Sequence, residues 1–457
     1  MIINQEMQAE ELIPKLKTFW DLSAGKILDL DESWDPGAGA PVFTSQGKYV
    51  SKGWTEWTQG FQFGSAILQF DAAGEQKFLD RGRERTLKVM GSHVTHMGVH
   101  DHGFNNVSTY GNLLRLMREG RIPEDKYEKA FYELALKCSG AVQARRWTVI
   151  PAGGFIYSFN GPHSLFADTI RSLRALALSH KLGHVLLEEK DTRVSLLQRL
   201  IQHAQTTAEY IVYYGEGRDV YDIRGRVAHE AIFNTNDGSF RCPSSQQGYS
   251  PFSTWTRALA WIMLGYAEEL EFLDSLSSSE LENCKGGNSI SELCLKAAVA
   301  SCDFYLENTP SDGIPYWDTG APGLSRLGDY LNSPADPFNP HEPVDSSAAA
   351  IAAQGLLRLG RYFKKKNIEN GEKYWLSGLT LLGNLLQDPY LSTQNGHQGL
   401  LLHSVYHRPN GWDHVPSGSG ITSGESCMWG DYHLREAALY LQRIIDGKDY
   451  YCFFGPG

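Results

Sequence analysis

A chain of 457 residues with 42% hydrophobic and 21% charged positions has ample apolar material for a large core. A formal net charge of −11, with no run or stripe of Lys and Arg, excludes a nucleic-acid binder and requires any acidic ligand to be met locally by Arg, Lys or His. No apolar stretch continues for roughly 18 residues without interruption, so no membrane span is expected, and seven scattered cysteines with no basic-then-apolar leader predict a reduced, cytoplasmic protein.

Along the chain, residues 1–50 are read as an N-terminal extension packed on the helical remainder. From 55 to 70 the sequence is apolar on most faces, and 78–89 comes next as a more charged helix across an Ala-Ala-Gly turn. Further helices are expected over 107–117, 123–138, 164–182, 195–214, 253–273, 289–307, 345–363, 374–386 and 428–444. In 164–182, Phe166, Ile170, Leu173 and Ala177 share one face, as do Ala348, Ala352, Gly355 and Leu359 in a later helix. Strands are confined to connections near 147–150 and 155–158. Ala- and Gly-rich helices alternating with charged ones, and no fixed-period repeat, favour a closed double ring of helices over an open solenoid. Function then belongs in the loops at one end.

Those loops are aromatic. Trp54, Trp57, Trp147, Tyr157, Phe159, Tyr249, Phe252, Trp255, Trp317, Trp412 and Trp429 lie at helix starts or in connections. As a set beside His229, Gln247 and Arg257 they suggest a pocket that stacks on pyranose faces, the competing reading being a protein interface.

The run His100-Asp101-His102-Gly103-Phe104 sets a carboxylate between two imidazoles at a helix mouth. Flanking cations would keep Asp101 ionised. Asp168, in Phe166-Ala167-Asp168-Thr169-Ile170, is the candidate partner acid, because an apolar setting would raise its affinity for a proton. Its plain alternative is support of a helix N-terminus. Arg257 and Trp261 are four apart and share a helix face, where Arg is a natural fork for a carboxylate and a structural salt bridge is its plain alternative. His93, His96, His100 and His102 have spacings that would suit zinc, but no carboxylate-rich helix or Cys pair joins them, and neither metal nor cofactor is expected.

Taken in series, Trp57-Thr58-Gln59-Gly60-Phe61, His100-Asp101-His102-Gly103-Phe104, Asp168-Thr169-Ile170, Gln247-Gly248-Tyr249-Ser250, Thr256-Arg257-Ala258-Leu259-Ala260-Trp261, Pro315-Tyr316-Trp317-Asp318, Asp345-Ser346-Ser347-Ala348 and Trp429-Gly430-Asp431-Tyr432 resemble glycoside hydrolase family 88, the unsaturated glucuronyl hydrolases. The resemblance implies a single (α/α)6-barrel catalytic domain over 1–457. It also implies a reaction, removal of a terminal 4,5-unsaturated uronic acid from lyase-generated oligosaccharides by hydration of the C4=C5 vinyl ether. Carried over by motif, Asp168 protonates C4 and activates the water that adds at C5, while Asp101 holds ring hydroxyls and stabilises developing positive charge. Gln247, Arg257, Trp261 and His229 position the sugar and its carboxylate, Trp57 forms a wall, and His100, Phe159 and Asn160 complete the substrate-binding set. Two departures stand out: Tyr157-Ser158-Phe159-Asn160 where the family usually carries a Trp, and His102 where an aliphatic residue is common. A family 105-like rhamnogalacturonyl hydrolase, a saturated β-glucuronidase and a non-catalytic sugar-binding barrel are the alternatives. The loops at 157–160 and 406–420 are expected to select the parent polysaccharide.

Overall fold

A computed structural model describes residues 1–53 and 56–454, with nothing said of the Glu56 side chain; Trp54 and Thr55, named above for the aromatic set and the first helix, lie outside the described residues. Six outer helices are Ile13–Ser33, Gln76–Val89, Lys126–Arg145, Leu196–Tyr210, Gly287–Glu307 and Glu372–Leu385. They alternate in the chain with six inner helical segments. These are Gln59–Ala73, the continuous run His102–Asn106, Val107–Gly111 and Asn112–Arg118, the pair Thr169–Ser172 and Arg174–Lys181, then Thr256–Leu273, Ser346–Lys366 and Met428–Ile445. Each inner segment packs on the next, and the last packs on the first, so the ring closes. This is an (α/α)6 barrel. Residues 1–50 include Ile13–Ser33, which packs on the inner helices Gln59–Ala73 and Met428–Ile445.

Composition decides which layer a helix joins. Gln76–Val89 buries Phe78, Leu79, Gly82 and Thr86 and leaves its charges to solvent, as an outer helix must. Ser346–Lys366 opens with a run of Ser and Ala that presents little bulk on any side and is buried all round until Lys364, Lys365 and Lys366 emerge. Those cations complement the negative end of the helix.

Close approach inside the ring depends on glycine. A Cβ on Gly60 would stand 2.3 Å from the Asn105 carbonyl oxygen, and one on Gly103 would stand 2.4 Å from the Ser172 Cα and carbonyl oxygen. Both obstacles are backbone, so two inner segments would have to move apart. Gly103→Ala should therefore cost about 2–3 kcal/mol, read as a lower midpoint in thermal or chemical denaturation. A midpoint equal to the parent's would show that the inner ring yields freely.

Most helix boundaries lie within about four residues of the expected ones, but the helix expected to end at 138 runs on to Arg145, the segment expected to start at 107 starts at His102, and one stretch needs correction. Residues 164–166 do not start a helix: Ser164–Phe166 is a strand, and the helix begins at Thr169. The helical spacing of Phe166 and Ile170 is overridden by pairing with Glu230–Phe233, which in turn pairs with Phe240–Ser244 in a three-stranded antiparallel sheet. Smaller hairpins join Phe43–Ser45 to Lys48–Val50 and Trp147–Ile150 to Gly153–Ile156. Among the described residues no helix is long and apolar enough to cross a membrane.

Candidate active site

At one end of the barrel a cavity of about 220 Å³ is lined by residues that include Trp57, His100, Asp101, Phe159, Asn160, Asp168, Gln247, Arg257 and Trp261. Nine of the ten residues expected at the site therefore meet in one space. The three-stranded sheet explains much of the convergence. In its register Phe166 lies opposite Glu230 and Glu230 opposite Ser244, so the segments bearing Asp168, His229 and Gln247 leave the sheet side by side. A bond from the Ala167 amide to the His229 carbonyl, 2.9 Å, continues the ladder beyond the strands.

Asp101 and Asp168 both occupy the N-cap position of an inner segment, and neither side chain caps its helix. Their oxygens turn to His100 instead. Its Nε2 lies 2.9 Å from Asp168 Oδ2 and 4.0 Å from Asp101 Oδ1. Side-chain exposure is 3% for His100, 11% for Asp101 and 15% for Asp168, so the carboxylates keep an edge on the cavity while the imidazole that borders it is almost fully buried. The ring stacks on Phe159 at 6.2 Å and meets the edge of Phe166 at 5.6 Å. Its carbonyl oxygen is fixed by the Ser172 hydroxyl and the Gln143 amide.

This arrangement reverses the expected order of proton affinity between the two carboxyls. Burial would raise Asp168, but the bonded His100 and nearby His229 outweigh it and hold its carboxyl below the ordinary range. Burial raises Asp101, the Asp168 charge adds to it, and His100 offsets only part. Burial would lower His100, yet the two carboxylates carry it above its ordinary value. His102 plays no part in this balance. Its Nε2 donates to the His96 carbonyl and its Nδ1 accepts from Ser139, each at 2.9 Å, so it ties an inner segment to an outer helix, and burial lowers it to about 4. Asp101 is thus flanked by one cation, not two.

The four histidines considered for zinc do not converge. His93 Nδ1 meets the Asn105 amide at 3.2 Å, and both ring nitrogens of His102 are taken by Ser139 and the His96 carbonyl. Among the described residues, the only cluster of three or more acidic, imidazole or thiol groups close enough to share one cation is His100, Asp101 and Asp168, with one atom of each within 4.8 Å of the others.

Arg257 differs from expectation in a second way. One terminal nitrogen donates to Asp345 Oδ2 at 3.1 Å and to the Val405 carbonyl, and the other donates to the Tyr406 carbonyl at 2.8 Å and to Gln247 Oε1 at 2.7 Å. The guanidinium is wedged between Trp255 and Trp429 at 4.4 and 4.8 Å. Its fork is therefore filled by protein groups, and it holds Gln247 by the carbonyl oxygen so that the amide nitrogen is left to donate. His229, the one expected residue that does not line the cavity, stands behind Phe166 and Trp255 at ring distances of 4.7 and 4.6 Å. Its Nδ1 accepts from the Gln246 amide at 3.1 Å, which places the proton on Nε2, and burial pushes it down to about 3, so it stays neutral.

The aromatic set divides. Trp57, Phe159, Trp255 and Trp412 line the cavity. Trp57 stacks on Trp429 at 5.0 Å. Tyr157 turns instead onto Arg146 at 4.2 Å, Trp317 donates its Nε1 to Glu342 in the interior, and Tyr249 and Phe252 are exposed. Val99, Phe104, Phe166, Gln246, Tyr406, His407 and Asn410, none of them among the ten expected site residues, also line the space, the last three from the 406–420 loop. Burial lowers His407 to about 4, so it adds no charge. Below the cavity Trp261 and Phe104 make the floor, 4.9 Å apart, with His433 another 4.9 Å beneath Trp261. Under that lies a fully buried cluster in which Arg171 binds Glu268 at 2.9 Å, Glu436 at 2.6 Å and His433 at 2.5 Å.

No family model matches the chain. Among curated proteins it is 24% identical over 393 residues to the unsaturated glucuronyl hydrolase of Formosa agariphila, covering 85% of this chain and 81% of that one. It is 25% identical over 414 residues to the unsaturated glucuronyl hydrolase of Bacillus sp. GL1, covering 90% and 92%. Among solved structures, the unsaturated glucuronyl hydrolase of Bacillus sp. GL1 matches with a TM-score of 0.68 at 21% identity over 93% of this chain and 97% of that one. The Streptococcus agalactiae enzyme of the same name also matches at 0.68, with 20% identity over 99% of both chains. With relatives along nearly its whole length, their barrel, and the expected carboxylate pair facing one cavity, the chain is similar to the unsaturated glucuronyl hydrolases.

Proposed function

We propose that this protein, acting as one cytoplasmic catalytic domain over 1–457, removes the terminal 4,5-unsaturated uronic acid from short lyase-generated oligosaccharides by hydrating the C4=C5 double bond. The observation that supports this most is the pair of carboxylates, Asp101 and Asp168, facing one sugar-sized cavity with His100 between them. Asp168 delivers a proton to C4, which forms the C4–H bond and leaves C5 as an oxocarbenium-like cation with the ring oxygen. Asp101, fixed beside it, stabilises that charge without reorganising. Water adds at C5 and gives its proton back to Asp168, and the resulting hemiketal opens and releases the remaining sugar. Gln247, held by Arg257, donates to the sugar. Trp57 and Trp261 supply apolar faces for the pyranose.

Incubation with a panel of unsaturated disaccharides from chondroitin, hyaluronan, heparin and plant or algal uronides should show loss of the ultraviolet absorbance of the conjugated uronate for at least one member. Binding of those sugars without loss of absorbance would establish a sugar-binding barrel instead.

A further inference from the structure

Hydration as proposed needs a proton on Asp168, and the structure holds Asp168 as the most readily ionised of the three groups. His100 resolves the conflict. It is the nearest titratable neighbour of Asp168, joined to it by a 2.9 Å bond, and its side chain is only 3% exposed where it borders the cavity. Its backbone and ring are both immobilised, by Ser172 and Gln143 on one side and by Phe159 and Phe166 on the other. Among the described residues, the charged and titratable groups that act most on it are these. Asp101 lies in its own segment and Asp168 at the opening of the next inner segment, and both draw a proton to it. Arg146, beyond the end of the outer helix Lys126–Arg145, opposes them, but its guanidinium is engaged by the carbonyls of Met97, Tyr157 and Ser158. His203, on Leu196–Tyr210, and His229, beside the sheet, are both pushed to about 3 by burial and are neutral.

We propose that His100 stores the catalytic proton and passes it across the 2.9 Å bond from Nε2 to Asp168 Oδ2 when substrate occupies the cavity. This rests on the hydration reading and deepens it. The incoming uronate adds a negative charge beside two carboxylates, which favours a proton on the one nearest the alkene. The step balances: the Nε2–H bond breaks and an Asp168 O–H bond forms, leaving a neutral imidazole. The C4=C5 electron pair then takes that proton, water supplies the hydroxyl at C5, and the proton lost by the water returns through Asp168 to His100. His100 acts through Asp168 as a positioning residue and does not touch the sugar.

The signature is a pH profile. In the parent, kcat should fall on the alkaline side as His100 loses its proton, above the ordinary value of 6.5 for an imidazole. In His100→Asn, which keeps a donor toward Asp168 but cannot be charged, that limb should move down by about one pH unit or more, with kcat at pH ~7.5 lowered about 10-fold and largely recovered in acid. KM should change less than kcat. A uniform loss of kcat at every pH, with the limb unmoved, would overturn the proposal and leave His100 a mere support. Should His100→Asn fold poorly, nuclear magnetic resonance titration of the parent provides the second measurement. The His100 signal should titrate above 6.5 and drop in Asp168→Asn, and an unraised parent value would overturn the proposal. Asp168→Asn separates the two levels: if it turns over unsaturated disaccharide within a fewfold of the parent, Asp168 is not the acid and the His100 proposal falls with that assignment, whereas a parent that leaves the disaccharide absorbance unchanged overturns the hydration reading itself.

Discussion

Asp168→Asn should lower turnover of unsaturated disaccharide by about 10³-fold, the scale of a lost general acid and base, with KM and the melting temperature close to the parent's. The side chain keeps its shape, and its amide oxygen can still accept from His100 Nε2, so the bond at 2.9 Å has a replacement. What disappears is the capacity to hold and give a proton at that place. The carboxylate does not cap the helix it begins, so no cap is lost with the charge. An equal fall in kcat and kcat/KM would mark an interaction made only in the transition state. If turnover stayed within a fewfold of the parent's, Asp168 would not be the acid, and Asp101, whose affinity for a proton is raised by burial, would take that role.

Glu436→Gln should be the most damaging single change to stability, by about 3–5 kcal/mol. Glu436 has no exposed surface; it accepts from Arg171 at 2.6 Å and from the Tyr451 hydroxyl at 3.0 Å, and lies 3.7 Å from Arg174. Removing its charge leaves a buried guanidinium without full compensation. The sign with pH is fixed by linkage. Burial would raise Glu436, but Arg171 and Arg174 hold it well below its ordinary value of 4.5. Its contribution is therefore fully present above 4.5 and is lost as pH falls further, so the gap between variant and parent should narrow in acid. Chemical denaturation at neutral and acidic pH measures both. A double change, Arg171→Met with Glu436→Leu, should recover much of the loss. A neutral-pH midpoint for Glu436→Gln that matched the parent's would show that water or another group reaches the cluster.

The helices were legible because their composition alternates between small, apolar inner stretches and charged outer ones. Asp101 and Asp168 were legible because charged groups beside apolar segments at helix starts are costly without a use. The link between them was not. His100 and Asp168 are 68 residues apart, and what joins them is the contact between two inner segments, fixed by the bonds of Ser172 to the His100 carbonyl and the Gly103 amide. Phe166, Ile170, Leu173 and Ala177 have helical spacing, so local pattern concealed the strand Ser164–Phe166. The filled fork of Arg257 was hidden for a similar reason: the carbonyls it binds lie 148 and 149 residues later, and a backbone oxygen leaves no mark in a sequence. Arg171, Glu268 and Glu436 drew no expectation at all, because nothing short of the closed ring shows that three charges so far apart in the chain meet each other.

The ionic plug beneath Trp261 and Phe104 makes the cavity a cul-de-sac. A sugar chain cannot thread through it and can offer only its end. Whatever is cut off deepest must wait for the rest of the chain to withdraw before it can leave by the same door. If the proposed hydration is the reaction, it consumes the double bond and the shortened chain presents a saturated end, so there is no second bite after the first. Each oligosaccharide is then trimmed once, and throughput depends on how many chain ends an upstream lyase creates rather than on how long the chains are.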